Sequence, residues 1–139
     1  MAYSTRQDFV DRFGVIELLQ LVDRNRDDVE DAGVLDQAIG DAAAEIDGYL
    51  VSKYQLPLVA VPAVLVRLSC DIVRYRLFDS RALDEVRARY TDAVKYLVNV
   101  SQGIVQLALP TPPAPSVIDP EPESASADRV FSSTNLSDF

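Results

Sequence analysis

The sequence predicts an all-α protein: a compact bundle of about five helices, two short N-terminal and three longer, with an extended, partly disordered C-terminal tail. Three observations predict this. Apolar residues recur every three to four positions through most of the first hundred residues. Gly14, Gly103 and the first two prolines sit where those patterns break. Six of the eight prolines then crowd between Pro110 and Pro122, where a packed core cannot continue.

Thr5 is a good N-cap for a first helix through Asp8, Val10 and Phe13, and Gly14 stops it. Val15 to Leu21 reads as a second short helix facing inward through Ile16, Leu19 and Val22. The polar run DRNRDDVEDAG follows as a loop. The longest early helix is expected from about Asp31, acting as its cap, to about Tyr54. Its apolar set is Val34, Leu35, Ala38, Ile39, Ala42, Ile46, Tyr49 and Leu50, with Asp36, Asp41, Glu45 and Lys53 opposite. Gly40 and Gly48 cost helix propensity or else let another helix come close. Pro57 and Pro62 force a turn, and Pro62 suits the first turn of a helix over Ala63–Phe78. There Leu65, Leu68, Ile72 and Tyr75 stack on one side, widened by Val64 and Val73. Asp79 and Ser80 break the chain. A last helix is expected from Ala82 to Ser101, facing inward through Leu83, Val86, Tyr90, Val94, Leu97 and Val100 and ended by Gly103.

Four segments follow: a helical domain over 1–103, a short strand or extended arm over 104–109, a proline-rich acidic linker over 110–127 and a terminal segment over 128–139. After a linker poor in large apolar side chains, the last twelve residues bring back Val130, Phe131, Leu136 and Phe139, with Arg129 beside them. Phenylalanines gain nothing from water, so these five residues are the expected partner-binding anchors. The competing reading folds this end back on its own domain.

Charge and composition exclude much. A net charge of −9 argues against a sequence-independent grip on nucleic acid, which needs clustered Lys and Arg. The charge is uneven: nine acids and two arginines over 23–47, seven bases and five acids over 62–103, five acids and Arg129 over 110–139. Such a molecule can pair head-to-tail with its own copies. No long apolar run predicts a membrane span, and the charged N-terminus does not resemble a signal peptide. Cys70, the single cysteine, fits a reducing compartment and reads as a small buried hydrophobe. With no histidine and no glycine-rich phosphate loop, the chain is expected to be no enzyme and to need no cofactor; Asp41, Glu45 and Asp47 read as the polar side of a helix. Asp23-Arg24-Asn25-Arg26-Asp27 opens like a calcium loop, but Asp28 replaces its glycine and Val34 its bidentate glutamate, so no metal is expected.

Across nearly its whole length the chain resembles the Mu-like phage head–tail joining proteins. The resemblance rests on Y-x-T-R-x-D-x-x-x-R-F-G (Tyr3 to Gly14), I-E-L-x-x-L-x-D-R (Ile16 to Arg24), A-x-A-E-I-D-G-Y-L (Ala42 to Leu50) and K-Y-x-L-P-L (Lys53 to Leu58). It continues through V-P-A-x-L-x-R-L-x-C-D-I-x-R-Y-x-L (Val61 to Leu77), R-A-x-x-E-V-R-x-R-Y (Arg81 to Tyr90), G-x-V-x-L (Gly103 to Leu107) and R-V-F-S (Arg129 to Ser132). Asp27-Asp28 departs from the glycine-containing aspartate loop that family members often carry. The resemblance implies a virion head-completion adaptor at the head–tail junction, made in the host bacterial cytoplasm. It implies a homo-oligomeric ring, about twelve-fold, that binds the portal protein and neighbouring neck or tail proteins while DNA passes through without specific binding. The alternative is a cytoplasmic protein-binding module that recruits one soluble partner through its C-terminal peptide.

Overall fold

The computed structural model describes residues 1–110, which contain five α-helices and, among the described residues, no strand. Helix α1 spans Arg6–Phe13, α2 Val15–Val22, α3 Val34–Leu50, α4 Ala63–Phe78 and α5 Asp84–Ser101. Helices α3, α4 and α5 touch one another pairwise, and α1 and α2 pack on each other and on α4. Helix α4 is therefore the centre of the unit. Its residues from Leu68 to Arg74 are all buried, so the one-sided stripe expected from sequence is incomplete. A helix covered on every side must bury polar residues as well, and Ser69, Asp71 and Arg74 are the result.

Local chemistry explains the helix ends. Thr5 and Asp8 form a reciprocal capping box on α1: the Asp8 N–H donates to Oγ1 of Thr5 at 3.2 Å, and the Thr5 N–H donates to Oδ2 of Asp8 at 2.8 Å. Gly14 then turns the chain at φ 90°, and its N–H closes on the Val10 carbonyl at 2.8 Å. At the far end, the Gly103 N–H reaches the Val100 carbonyl at 3.0 Å and the Ile104 N–H reaches that of Asn99 at 2.9 Å. With Gly103 at φ 78°, this is a Schellman motif, which satisfies the last carbonyls of α5.

Three expected boundaries shift. Helix α3 begins at Val34 because Gly33 is left-handed (φ 81°), and Asp31 does not cap it; the Asp31 carboxylate instead accepts the Arg24 N–H at 2.7 Å. The helix closes at Leu50, with hydrogen-bonded turns carrying the chain on to Tyr54. Helix α5 begins at Asp84, since Asp79–Arg81 form a 3-10 turn and Ala82 is extended. Leu83 therefore precedes the helix and is 59% exposed, where the sequence pattern turns it inward. Asp84 and Glu85 occupy the first turn of α5, facing its positive end.

The core is continuous: Ala42, Ile46 and Leu50 of α3, Leu65, Leu68 and Ile72 of α4, and Ala93, Leu97 and Val100 of α5, closed by Phe9, Leu18 and Val22. In α2 the buried face is Leu18 and Val22; Leu19 is only half-buried and Ile16 is 72% exposed, correcting the expected inward set. Residues 104–109 are irregular, and Leu107 turns back into the core while its N–H donates to the Tyr54 hydroxyl at 2.9 Å. Tyr3 and Ser4, buried ahead of α1, pin the N-terminus down: Tyr3 donates to Asp47, and the hydroxyls of Ser4 and Ser69 lie 2.8 Å apart.

Gly40 and Gly48 lie on exposed parts of α3, and nothing stands within 4 Å of where a Cβ would be. They serve no close helix approach in this unit. Each Gly→Ala replacement is therefore expected to stabilise the isolated chain by about 0.5–1 kcal/mol, read as a higher urea midpoint at unchanged slope.

Candidate functional site

Two surface features stand out on the helical unit: a braced acidic loop and an arginine cleft. The loop runs from Asp23 to Asp31, with five acids and two arginines. The Asp23 carboxylate accepts three backbone N–H groups, from Arg26 at 2.7 Å, Asp27 at 3.1 Å and Asp28 at 2.8 Å. Asp27 accepts the Val29 N–H at 3.0 Å. The carboxylates that begin the calcium-like pattern thus serve the loop's own amides, and Arg26 and Asp28 take left-handed backbone (φ 62° and 63°) to make this possible. Arg6 bonds Glu30 and ties the loop's end to α1, which holds the Glu30 carboxyl below its ordinary range. Among the described residues no group of three His, Cys, Asp or Glu is placed to hold a metal ion. Asp28 and Val29 stand at the crest, both exposed.

The second feature is a cleft of about 270 Å³ lined by Arg12 and Phe13 of α1, Arg67 and Asp71 of α4, and Arg89 of α5. The side chains of Arg67 and Arg89 are about half exposed, at 52% and 50%, whereas that of Asp71 is 6% exposed. Arg67 stands 3.7 Å and Arg89 3.9 Å from the Asp71 carboxylate, charge contacts too long for hydrogen bonds. Burial raises the Asp71 carboxyl above its ordinary range against the pull of Arg89, Arg67, Arg12 and Arg74. Beneath the cleft, the Arg74 guanidinium bonds Glu17 of α2 at 2.5 Å and lies 4.4 Å from the Phe13 ring centre. This ion pair and the aromatic contact fasten both short helices to α4.

Glu45, Asp47, Tyr75 and Tyr90 are engaged within the helical unit. Glu45 accepts from Arg76 at 2.6 Å and from the Tyr90 hydroxyl at 2.8 Å, and Tyr90 stacks on Tyr75 with ring centres 4.0 Å apart. Asp47 is held by Tyr3, and Asp41 is exposed, so the three acids do not converge. Burial pushes the Cys70 thiol up to about 11, which leaves it protonated and poorly nucleophilic at neutral pH. Among the described residues no helix is long and apolar enough to cross a membrane.

The two bonded phenols make alkaline pH informative. Burial, then the bond to Glu45, pushes the Tyr90 phenol up to about 12; burial, then Asp47, raises that of Tyr3 as well. Both hold their protons more tightly in the folded chain. Their stabilisation is therefore fully present below the ordinary tyrosine value of about 10 and is lost as pH rises through the folded values. Melting temperature is expected to fall across that window, and two of the six tyrosines should ionise late when followed by phenolate absorbance. The double variant Tyr3→Phe/Tyr90→Phe should flatten the fall.

The anchors expected from sequence, Arg129, Val130, Phe131, Leu136 and Phe139, lie outside the described residues. The arginine cleft went unnoticed in the sequence, because its members come from three helices. The available signal was an Asp inside the apolar stretch of α4 with arginines four residues before and three after it.

Comparison with known proteins assigns the lineage. The family model described as Bacteriophage Mu, Gp36 matches residues 3–124. The Mu-like prophage FluMu protein gp36 of Haemophilus influenzae is 36% identical over 107 residues, covering 77% of this chain and 76% of that protein. Gene product J of Escherichia phage Mu is 36% identical over 104 residues, 74% of each chain. The chain belongs to the Bacteriophage Mu Gp36 family.

Proposed function

We propose that this protein is a structural subunit of a phage virion, a head–tail joining adaptor that completes the head, binds the portal and contributes to the neck as a ring. It performs no turnover and needs no cofactor. Membership of a phage family supports the setting. The observation that carries the adaptor role is the pairing, on one small helical unit, of a rigid acidic loop with an arginine cleft. Surfaces of opposite sign on one subunit suit a heterologous contact, the kind that closes rings. The acidic balance of the chain leaves DNA little to hold while it passes through such a ring. The anchors Arg129, Val130, Phe131, Leu136 and Phe139 then dock on the portal or on a neighbouring neck or tail protein. Many tails acting together supply avidity from individually weak contacts.

The decisive experiment mixes the full chain with the cognate portal and follows complex size by light scattering and electron microscopy. Rings of this chain seated on the portal are the expected result. Removal of residues 128–139 should abolish seating while the helical circular dichroism stays unchanged. Failure to associate with portal or neck proteins would remove the adaptor reading. A one-to-one complex with a soluble cytoplasmic partner, without rings, would replace it with a recruitment module.

A further inference from the structure

We infer that the cleft formed by Arg12, Arg67 and Arg89 receives the 27–30 loop of a second copy of this chain, making a head-to-tail contact between copies. The inference rests on the ring reading above for its closure, but not on portal binding.

The cleft has cationic capacity to spare. Three arginines line it against the single carboxylate of Asp71, and their distances to that group are those of charge contacts. Arg89 shares part of its charge with Glu85 at 3.4 Å, which is itself 64% exposed. The half-exposed guanidinium groups of Arg67 and Arg89 therefore still have donors to offer an incoming carboxylate, and Arg forks suit carboxylates. Phe13, half-buried and held from beneath by Arg74, gives the cleft an apolar floor between its cations.

The loop presents the complementary pattern. Exposed Asp28 precedes Val29, which is 61% exposed, while Asp27 accepts the Val29 N–H and Glu30 is paired with Arg6. An exposed carboxylate beside an exposed apolar side chain, Asp28 and Val29, matches arginines beside the Phe13 ring. The loop is also preorganised by the Asp23 carboxylate and its three amides, so little ordering entropy is lost on docking.

The loop of the same chain cannot serve. Asp23, Arg24, Arg26 and Asp28 border Leu77 and Asp79 to Arg81, at and just past the C-terminal end of α4, whereas Arg67 lies in its first half and Asp71 near its middle. Twelve residues from Arg67 to Asp79 correspond to roughly 18 Å along a helix. Two different patches at separate places on one subunit make a heterologous contact, which propagates from copy to copy.

A charge-swap experiment on the full chain tests this. Variant one carries Arg67→Glu and Arg89→Glu; variant two carries Asp28→Lys and Val29→Lys, leaving Asp23 and Asp27 to brace the loop. By sedimentation velocity at low ionic strength and rising concentration, the unaltered chain should self-associate, and each variant alone should lose at least about tenfold in affinity. An equimolar mixture should regain association, because each reversed patch then meets one of opposite sign. Circular dichroism guards against unfolding. Should variant one fold poorly, Arg67→Gln/Arg89→Gln replaces it and should still weaken association. A photo-cross-linking residue at position 29 should map to the Phe13 or Arg67 peptide of another copy. A chain that stays monomeric throughout, a mixture that does not re-associate, or cross-links that map elsewhere would each overturn the contact. Self-association through these residues without portal binding would leave the contact standing and remove the adaptor reading; portal rings indifferent to both variants would do the reverse.

Discussion

Truncating Leu68 to alanine is expected to destabilise the chain by about 3 kcal/mol, or roughly 15 °C in melting temperature for a unit of this size. Leu68 is 1% exposed on the helix that touches all the others, flanked along its stripe by the fully buried Leu65 and Ile72. Losing its branched end opens a cavity that α3 and α5 cannot both move to fill, since each is also packed on the other. The matched control is Leu83→Ala. Periodicity points both leucines inward, yet Leu83 is 59% exposed ahead of α5 and should change stability by less than about 0.5 kcal/mol. Urea unfolding of the two variants checks the pair, and equal losses would contradict the start of α5 at Asp84.

That contrast shows where the sequence was legible. Helix α3 shows one apolar face and one polar face, so its stripe from Leu35 to Leu50 could be read almost residue by residue. Helix α2 could not be read this way. In Val15-Ile16-Glu17-Leu18-Leu19-Gln20-Leu21-Val22 nearly every position is apolar, and eight residues contain too few turns for periodicity to select a face. The choice fell to Glu17, which turns toward Arg74 and leaves Ile16 in solvent. Helix α4 was half legible. Its apolar stripe was plain, but Ser69, Asp71 and Arg74 look like a solvated face until partners distant in sequence cover them: Ser4, Arg89 and Glu17. The same limit hid the arginine cleft, which exists only once three helices meet. The calcium-like loop was readable as a loop, and its departures from the calcium-loop pattern at Asp28 and Val34 were plain. That Asp23 would turn its carboxylate onto the loop's own amides was not, because backbone amides leave no mark in a pattern of side chains.

The second large effect is expected at Arg74. Its side chain is 11% exposed, bonded to Glu17 at 2.5 Å and 3.3 Å and set against the Phe13 ring. Alanine there strands the Glu17 carboxylate in a partly buried site and empties the space under Phe13. Breaking one side of a fully buried pair costs about 3–5 kcal/mol. Because a quarter of the Glu17 side chain is exposed and can hydrate, about 2–3 kcal/mol is expected here. Arg74→Met/Glu17→Leu keeps much of the volume and removes both charges, so it should recover most of that loss. A thermodynamic cycle through the two single variants should give a coupling of roughly 1–2 kcal/mol, and simple additivity would mean that the pair does not hold α2 to α4. The recovered double variant then separates two roles of Arg74. If the arginine only supplies stability, head-to-tail association through the neighbouring cleft should return along with the fold. If it also sets the position of Phe13 and Arg12, the double variant should fold well and still associate more weakly than the parent chain. The second outcome follows from the geometry. Methionine can fill the space beneath Phe13, but it cannot reproduce the attraction between a guanidinium and the ring that holds α1, and with it the edge of the cleft, in place.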